Sequence, residues 1–260
     1  MYNPKKHGKP PYKVIVIHGG PGSPGEMATV AKELSVKFGV LEPLQTKSSV
    51  NEQIRELHSL IKYSSETPVK LIGHSWGAWL AYMFTSEYPS IVEKLILIGA
   101  GAFEEQYTLD ITGIRMDRLS VKDRQTIQKL LVLLNSPRES LLNEPYDQLI
   151  KLMIKADSYE LLPLKNETFE FQYEIFRSVW TEAEEMRKSG ELLKYAEKIS
   201  CPVTAIHGDY DPHSWKGVKE PLSRILSDFK FIKLEKCGHY PWYENLAKDK
   251  FYDVLIRELK

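Results

Sequence analysis

One run constrains this chain more than any other: Val69-Lys-Leu-Ile-Gly-His-Ser-Trp-Gly77, followed by an apolar segment as far as Tyr88. A short strand-like stretch passes through G-x-S-x-G into a helix-like stretch. A turn this tight has no room for side chains two residues either side of the serine, hence the glycines at 73 and 77. The turn lifts the Ser75 hydroxyl above the carboxyl edge of a sheet. It also sets that hydroxyl at a helix N-terminus, where the dipole favours developing negative charge. A structural turn has no need of serine at this point, whereas a nucleophile does.

The surrounding pattern supplies the sheet. Lys13–Ile17, Gly39–Glu42, Val69–Ile72, Lys94–Gly99, Pro202–His207 and Phe229–Leu234 read as strands. The continuous β-branched runs predict burial on both faces, and the alternating last strand predicts a less covered one. Helices are expected over Gly25–Lys37, Val50–Tyr63, Trp76–Tyr88, Lys219–Ser227 and Asn245–Leu259. The β-α alternation argues for an α/β fold with a mostly parallel sheet flanked by helices. From Phe103 to Ile199 the rhythm stops, and only helical stripes remain. Ile127, Leu130, Leu131 and Leu134 form one stripe, and Leu149, Leu152 and Met153 another. Phe171, Ile175, Val179, Ala183 and Met186 form a third. That segment is too long for an ordinary connection. We therefore expect a core of residues 1–102 and 200–260 and an inserted helical cap over 103–199.

A serine hydroxyl is a poor nucleophile without a base and a group that orients the base. On a sheet of this kind the expected chain order is serine, carboxylate, histidine. After the strand that follows the helical segment stands His207-Gly-Asp-Tyr-Asp-Pro212, and after the last strand stands Cys237-Gly-His-Tyr-Pro-Trp242. These place Ser75, Asp211 and His239 in loops at the carboxyl ends of strands, where open α/β sheets gather their sites. Asp211 is preferred over Asp209, which suits a turn brace, and His239 over its rival His213. His18 and His207 read as loop-shaping residues, and His74 as a neighbour whose side chain points away from Ser75. His18-Gly-Gly-Pro-Gly22 follows the first strand. It offers the Gly20 N–H as one oxyanion donor beside the Trp76 N–H, while Pro21 has none to give.

Composition narrows the partners. Lys plus Arg and Asp plus Glu each number 35, so no net charge draws the chain to nucleic acid or an anionic membrane. Neither a signal peptide nor a run of roughly 20 apolar residues is present, which predicts a cytoplasmic chain with no membrane partner. Cys201 and Cys237 flank neighbouring strands at opposite ends, so both are expected as free thiols. No metal or cofactor is expected, and the partner is a small-molecule substrate. The sequence leaves the oligomeric state open.

Together these motifs resemble the α/β-hydrolase superfamily over essentially the whole chain. The "HGGPG" and "GHYPWYE" loops look like the proline-iminopeptidase branch. The resemblance implies a serine hydrolase with a helical cap and no cofactor, acting on a small ester or amide. The chain departs from that branch at His74, where the branch has glycine, and at "EPLQTKSS" (42–49), where the branch has D-Q-R-G. The usual N-terminal hairpin strands are expected to be missing. An aminopeptidase would need cap carboxylates for an α-ammonium, with Glu104, Glu105, Glu182, Glu184 and Glu185 as candidates. Trp76, Trp79, Trp215 and Trp242 are candidates to wall an apolar acyl pocket, Trp76 foremost. Carboxylesterase, thioesterase and C–C hydrolase activities stay open, as does a ligand-sensing receptor built on the same pocket.

Overall fold

The computed structural model describes residues 3–134, 143–164 and 167–260. The apolar runs form strands β2 (Tyr12–Ile17), β3 (Gly39–Glu42), β4 (Val69–His74), β5 (Val92–Ile98), β6 (Val203–Gly208) and β7 (Phe229–Leu234). A three-residue strand precedes them, β1 (Lys5–His7), which pairs antiparallel with β3 through Lys5 opposite Glu42 and His7 opposite Val40. The sheet order is β1-β3-β2-β4-β5-β6-β7, and β2 to β7 run parallel. The short strand β1 is held by His7 Nε2 at 2.8 Å from the fully buried Glu42 carboxylate.

Parity explains the two cores. Ile15, Ile17, Leu71, Leu95, Leu97 and Ala205 enter one cluster, and Val14, Val16, Ile72, Ile96, Ile98 and Ile206 the other. Successive side chains on a strand point to opposite faces, so each strand feeds both layers. The first layer is closed by α2 (Val50–Ser64) through Ile54, Leu57 and Ile61, and by α3 (Trp76–Glu87), whose residues are buried as far as Ser86. The second is closed by α1 (Ala28–Leu34) and α10 (Lys248–Glu258). Helix α9 (Lys216–Ile225) adds Val218 and Leu222 to the first layer. β7 is the edge strand and is half-exposed, as its alternation predicts. Both cysteines are free thiols, and burial pushes Cys201 up to about 11.

Between β5 and β6 the chain is helical, with α4 (Ile111–Arg118), α5 (Val121–Leu134), α6 (Asn143–Asp157), α7 (Tyr173–Lys188) and the short α8 (Glu191–Lys194). Of the expected stripes, Val179, Ala183 and Met186 are buried against the first layer, whereas Phe171 lies before the start of α7. Ile127 and Leu130 are buried, but Leu131 is exposed. Among the described residues no helix is long and apolar enough to cross a membrane.

Ile96 lies at the centre of the sheet with no exposed surface. Truncation there removes packing that the rigid strands cannot refill. Ile96→Ala should lower the unfolding free energy by roughly 2–5 kcal/mol. A fall in the denaturant midpoint at unchanged slope is the expected readout.

Candidate active site

β2 connects outward to β3, and β3 returns past it to β4. The carboxyl ends of β2 and β4 therefore meet at the topological switch point, where open α/β sheets bind ligands. Ser75 sits at the end of β4 with φ 52° and ψ −117°. That left-handed backbone is costly for a residue with a side chain, and the surroundings must impose it. They do so by contact. A Cβ on Gly73 would lie 2.1 Å from the Gly77 carbonyl oxygen, and one on Gly77 would lie 2.4 Å from the carbonyl oxygens of Ile17 and His18. The Ser75 N–H donates to Ile98 O at 2.9 Å, pinning the turn to β5.

The loop after β2 is equally tight. Gly20 has φ +44° and would meet Ser23 Oγ at 2.7 Å if it carried a Cβ. Gly22 has φ +92° and accepts a hydrogen bond from Gln172 N–H at 2.7 Å, which brings the start of α7 onto this loop. His18 is fully buried. Its Nε2 accepts from Gln45 N–H at 3.2 Å and its Nδ1–H donates to Gly19 O at 2.9 Å, a neutral tautomer in keeping with a pKa lowered by burial. Among the described residues, neither Gly20 N–H nor Trp76 N–H donates to a protein acceptor.

Asp211 is buried after β6 and gathers three histidines. His239 Nδ1–H donates to Oδ2 at 2.7 Å, and His213 donates to Oδ1 through its backbone N–H at 2.8 Å and Nδ1 at 2.9 Å. His207 Nε2 lies 3.3 Å from Oδ2 and bonds the His213 carbonyl at 3.1 Å. Although burial opposes the charge, these partners hold the Asp211 carboxyl well below its usual range. Burial is also the largest effect on the His239 ring, which it holds well below the ordinary imidazole value, with His213 and His74 adding to it against Asp211. Gly99 backs the pair, since a Cβ there would sit 3.1 Å from His239 Nδ1 and 3.3 Å from Asp211 Oδ2. Asp209 is exposed and braces the turn by accepting from Cys237 N–H at 3.2 Å. The ligand atoms of Asp211, His213 and His239 lie within 4.8 Å of one another. Both Nδ1 atoms already face the carboxylate itself, so this grouping is a hydrogen-bonded acid.

His74, next to the serine, does point away from it. Its Nδ1 lies 2.6 Å from Glu26 Oε1, and its Nε2–H donates to the His239 carbonyl at 2.9 Å. Trp76 departs from expectation, because among the described residues its side chain lies in the core and lines neither the cavity at Gly20 nor the cleft at Trp79. It is buried, and its indole N–H is shared by Gln45 Oε1 at 2.9 Å and Gln53 Oε1 at 3.1 Å. Trp242 is likewise core, and Trp215 lies among Lys216, Lys219 and Lys233. Trp79 lines a cleft with Trp180, Gly101 and His213.

The helical segment meets these loops. A cavity of about 190 Å³ is lined by Gly20, Ser23, Glu26 and Tyr240 from the core. Ile150, Met153, Ile154, Phe169, Phe171, Phe176, Arg115 and Glu170 line it from the other side. Ser75 and His239 are not in its lining. Arg115 is forked onto buried Asp157 at 2.7 and 2.6 Å, and the Asp157 carbonyl accepts from His239 N–H at 2.9 Å. The five carboxylates considered for an ammonium are committed elsewhere. Glu104 pairs with Arg224, Glu105 and Glu184 with Arg187, and Glu185 with Lys188, while Glu182 accepts from Val50 N–H.

Sequence reasoning missed two buried glutamates, Glu26 and Glu244. Glu244 accepts from Tyr159 and Glu160 N–H, each at 2.8 Å, and from Gly238 N–H at 2.7 Å. It sews the stretch just after α6 to the His239 loop. Glu244 closes the GHYPWYE stretch and Glu26 falls within an expected helix, but neither position foretells burial, since glutamate is normally solvated.

The comparisons agree with this architecture. Residues 46–246 match the alpha/beta hydrolase fold family, and the chain belongs to that family. Its similarities within the family are to several kinds of hydrolase. It is 24% identical over 203 residues to an abhydrolase domain-containing protein, abhd-5.2, of Caenorhabditis elegans, covering 74% of this chain and 43% of that relative. It is 24% identical over 273 residues to the proline iminopeptidase of Lactobacillus helveticus, covering 96% of this chain and 89% of the relative. The monoacylglycerol lipase structure from Paleococcus ferrophilus superposes with a TM-score of 0.62 at 16% identity, covering 100% of this chain and 98% of that one.

Glu244→Ala would remove the acceptor of three backbone N–H groups, of which that of Gly238 is buried and those of Tyr159 and Glu160 are part-buried. At about 1–3 kcal/mol for a buried donor left without an acceptor, the variant should lose roughly 1–3 kcal/mol. Glu244→Gln keeps one acceptor oxygen and should lose less. Thermal melts of the two variants beside the parent check the ranking.

Proposed function

We propose that this chain is a serine hydrolase that cleaves a carboxylic ester with an apolar acyl group. One observation carries the reading above the rest. A strained serine on a strand-to-helix turn shares a sheet edge with a buried histidine whose Nδ1–H is held at 2.7 Å by a buried carboxylate.

In this reading His239 Nε2 takes the Ser75 proton as Oγ attacks the carbonyl carbon. The oxyanion is met by the N–H groups of Gly20 and Trp76. Collapse expels the alcohol, which takes the proton from His239. Water then attacks the acyl-enzyme, with His239 again as base, and the acid leaves. Asp211 fixes the His239 tautomer and stabilises its charged form. Residues 103–199 act as the cap that walls the substrate from above.

The cavity supports the ester reading. Six of its lining residues from the helical segment are apolar, and the candidate ammonium-binding carboxylates are already paired. Of the cavity's own carboxylates, Glu26 is occupied by Gly19 and His74, and Glu170 is exposed. The relative named a proline iminopeptidase keeps one rival testable.

Ser75→Ala should abolish p-nitrophenyl ester turnover and fluorophosphonate labelling while the fold persists; full turnover by that variant would refute the scheme. Asp211→Asn should lower kcat by about 10⁴-fold, and Asp209→Asn by only a few-fold. Faster cleavage of proline p-nitroanilide than of the ester would return the assignment to the peptidase.

The pH profile follows from the ring's burial. His239 must be neutral to act, and burial lowers its pKa. Activity is thus present above that lowered pKa and lost as pH falls through it. The acid limb of kcat/KM should have its midpoint below the ordinary histidine value of about 6.5.

A further inference from the structure

The residue beside the proposed nucleophile does more than fill space. His74 is fully buried, and its two ring nitrogens face two different loops. Nε2 reaches the backbone carbonyl of His239 at 2.9 Å. Nδ1 lies 2.6 Å from Glu26 Oε1, and Glu26 Oε2 accepts from Gly19 N–H at 2.5 Å. A polar path therefore runs from the backbone of the residue before Gly20, through Glu26 and His74, to the backbone of His239. The two loops it joins lie 220 residues apart in sequence (239 − 19) and on opposite sides of Ser75.

Two further observations show that the surroundings are built for this pair. A Cβ on Gly19 would lie 2.8 Å from His74 Nδ1 and 3.0 and 3.1 Å from the Glu26 oxygens, so the pair occupies the space that glycine leaves. The His74 ring is enclosed by Tyr240, Trp242 and the His239 ring, with centroids at 5.1, 4.7 and 4.6 Å.

The proton count follows from the partners. A carbonyl oxygen only accepts, so Nε2 carries a hydrogen. Nδ1 makes no aligned hydrogen bond but lies 2.6 Å from the Glu26 carboxylate, an ion-pair contact that favours a second hydrogen there. Burial opposes that charge, but the Glu26 carboxylate and the His239 carbonyl raise the His74 pKa above its ordinary value. A buried pair of this kind adds little net stability but is sensitive to loss of either partner.

We propose that Glu26 and His74 are positioning residues that hold the Gly20 loop and His239 at a fixed separation across Ser75. The inference rests on the assignment of Ser75, His239 and Gly20 above. Neither residue touches the reacting atoms. They act through Gly19 N–H at one end and the His239 carbonyl at the other.

The test compares charge removal with bond removal in the full-length chain. His74→Ala and Glu26→Ala cut the path. His74→Gln keeps a donor at the Nε2 position, and Glu26→Gln keeps an acceptor for Gly19 N–H. With a short p-nitrophenyl ester, the alanine variants should lose about 10²-fold in kcat, the scale of a misplaced reacting group. Their KM should stay within about threefold. Glu26→Gln should recover most of kcat.

The pH profile supplies a readout that mere packing would not move. His239 faces Asp211, His213, Tyr240 and His74, and His74 faces Glu26, Tyr240 and Asp211. The His74 charge makes His239 harder to protonate, so His74→Gln should move the acid limb of kcat/KM to higher pH. If the alanine variants do not fold, the glutamine variants and their pH limbs decide the matter. Folded variants with parental kcat and an unmoved acid limb would overturn the pair. Failure of the site assignment looks different, because the parent chain itself would then escape fluorophosphonate labelling at Ser75.

Discussion

Two missing side chains allow helix α3 to press against the end of β2. With any Cβ at 77, the helix would collide with the carbonyls of Ile17 and His18; with any at 73, the strand would collide with Gly77. That contact forces Ser75 into its left-handed backbone and sets the turn against the glycine loop after β2. The remaining parts of the site are arranged around this approach. The β2 loop is held by His18, Gln45 and Glu26, and the β6 and β7 loops by the histidines around Asp211.

Buried ionisable groups carry much of this arrangement. Asp211 is satisfied on both oxygens, and Glu26 and Glu244 each accept from backbone N–H groups that have no other protein partner. Such groups are tolerated inside a protein when hydrogen-bond donors and opposite charges offset the loss of water. The helical segment is fastened to the core through the same chemistry. Glu244 holds the stretch after α6, the Asp157 carbonyl holds His239 N–H, and Gln172 N–H holds Gly22 O. The cavity wall and the His239 loop are thus fastened to the core by hydrogen bonds of one kind.

The sheet was legible because continuous runs such as Val-Ile-Val-Ile and Leu-Ile-Leu-Ile fit few other roles. Their boundaries moved by only a residue or two, as with β4, which extends to His74. β1 left no trace, since Lys-Lys-His has no apolar alternation and is held by pairing with β3 and by the His7–Glu42 contact. The turn at Ser75, the acid loop and the histidine loop carry glycine and proline signatures and were readable for that reason. Side-chain direction was not readable. Trp76 was expected in a pocket wall, but Gln45 and Gln53, distant in sequence, draw its indole inward. The pairing of the candidate cap glutamates depends on arginines and lysines brought near by folding, such as Arg224 opposite Glu104.

Parity along β4 has a consequence for how this chain tolerates change. Leu71 and Ile72 serve different cores, and His74 and Ser75 face different groups of residues. Adding or deleting one residue within Val69–His74 would invert all of these assignments together, exchanging the two hydrophobic faces and the two polar ones. Length changes can accumulate in the helical stretch between β5 and β6, where they alter the shape of the chamber. Within β4 a frame shift of one would dismantle the protein. The chain can therefore be retuned for different ligands in one region and is locked to a single reading in the other.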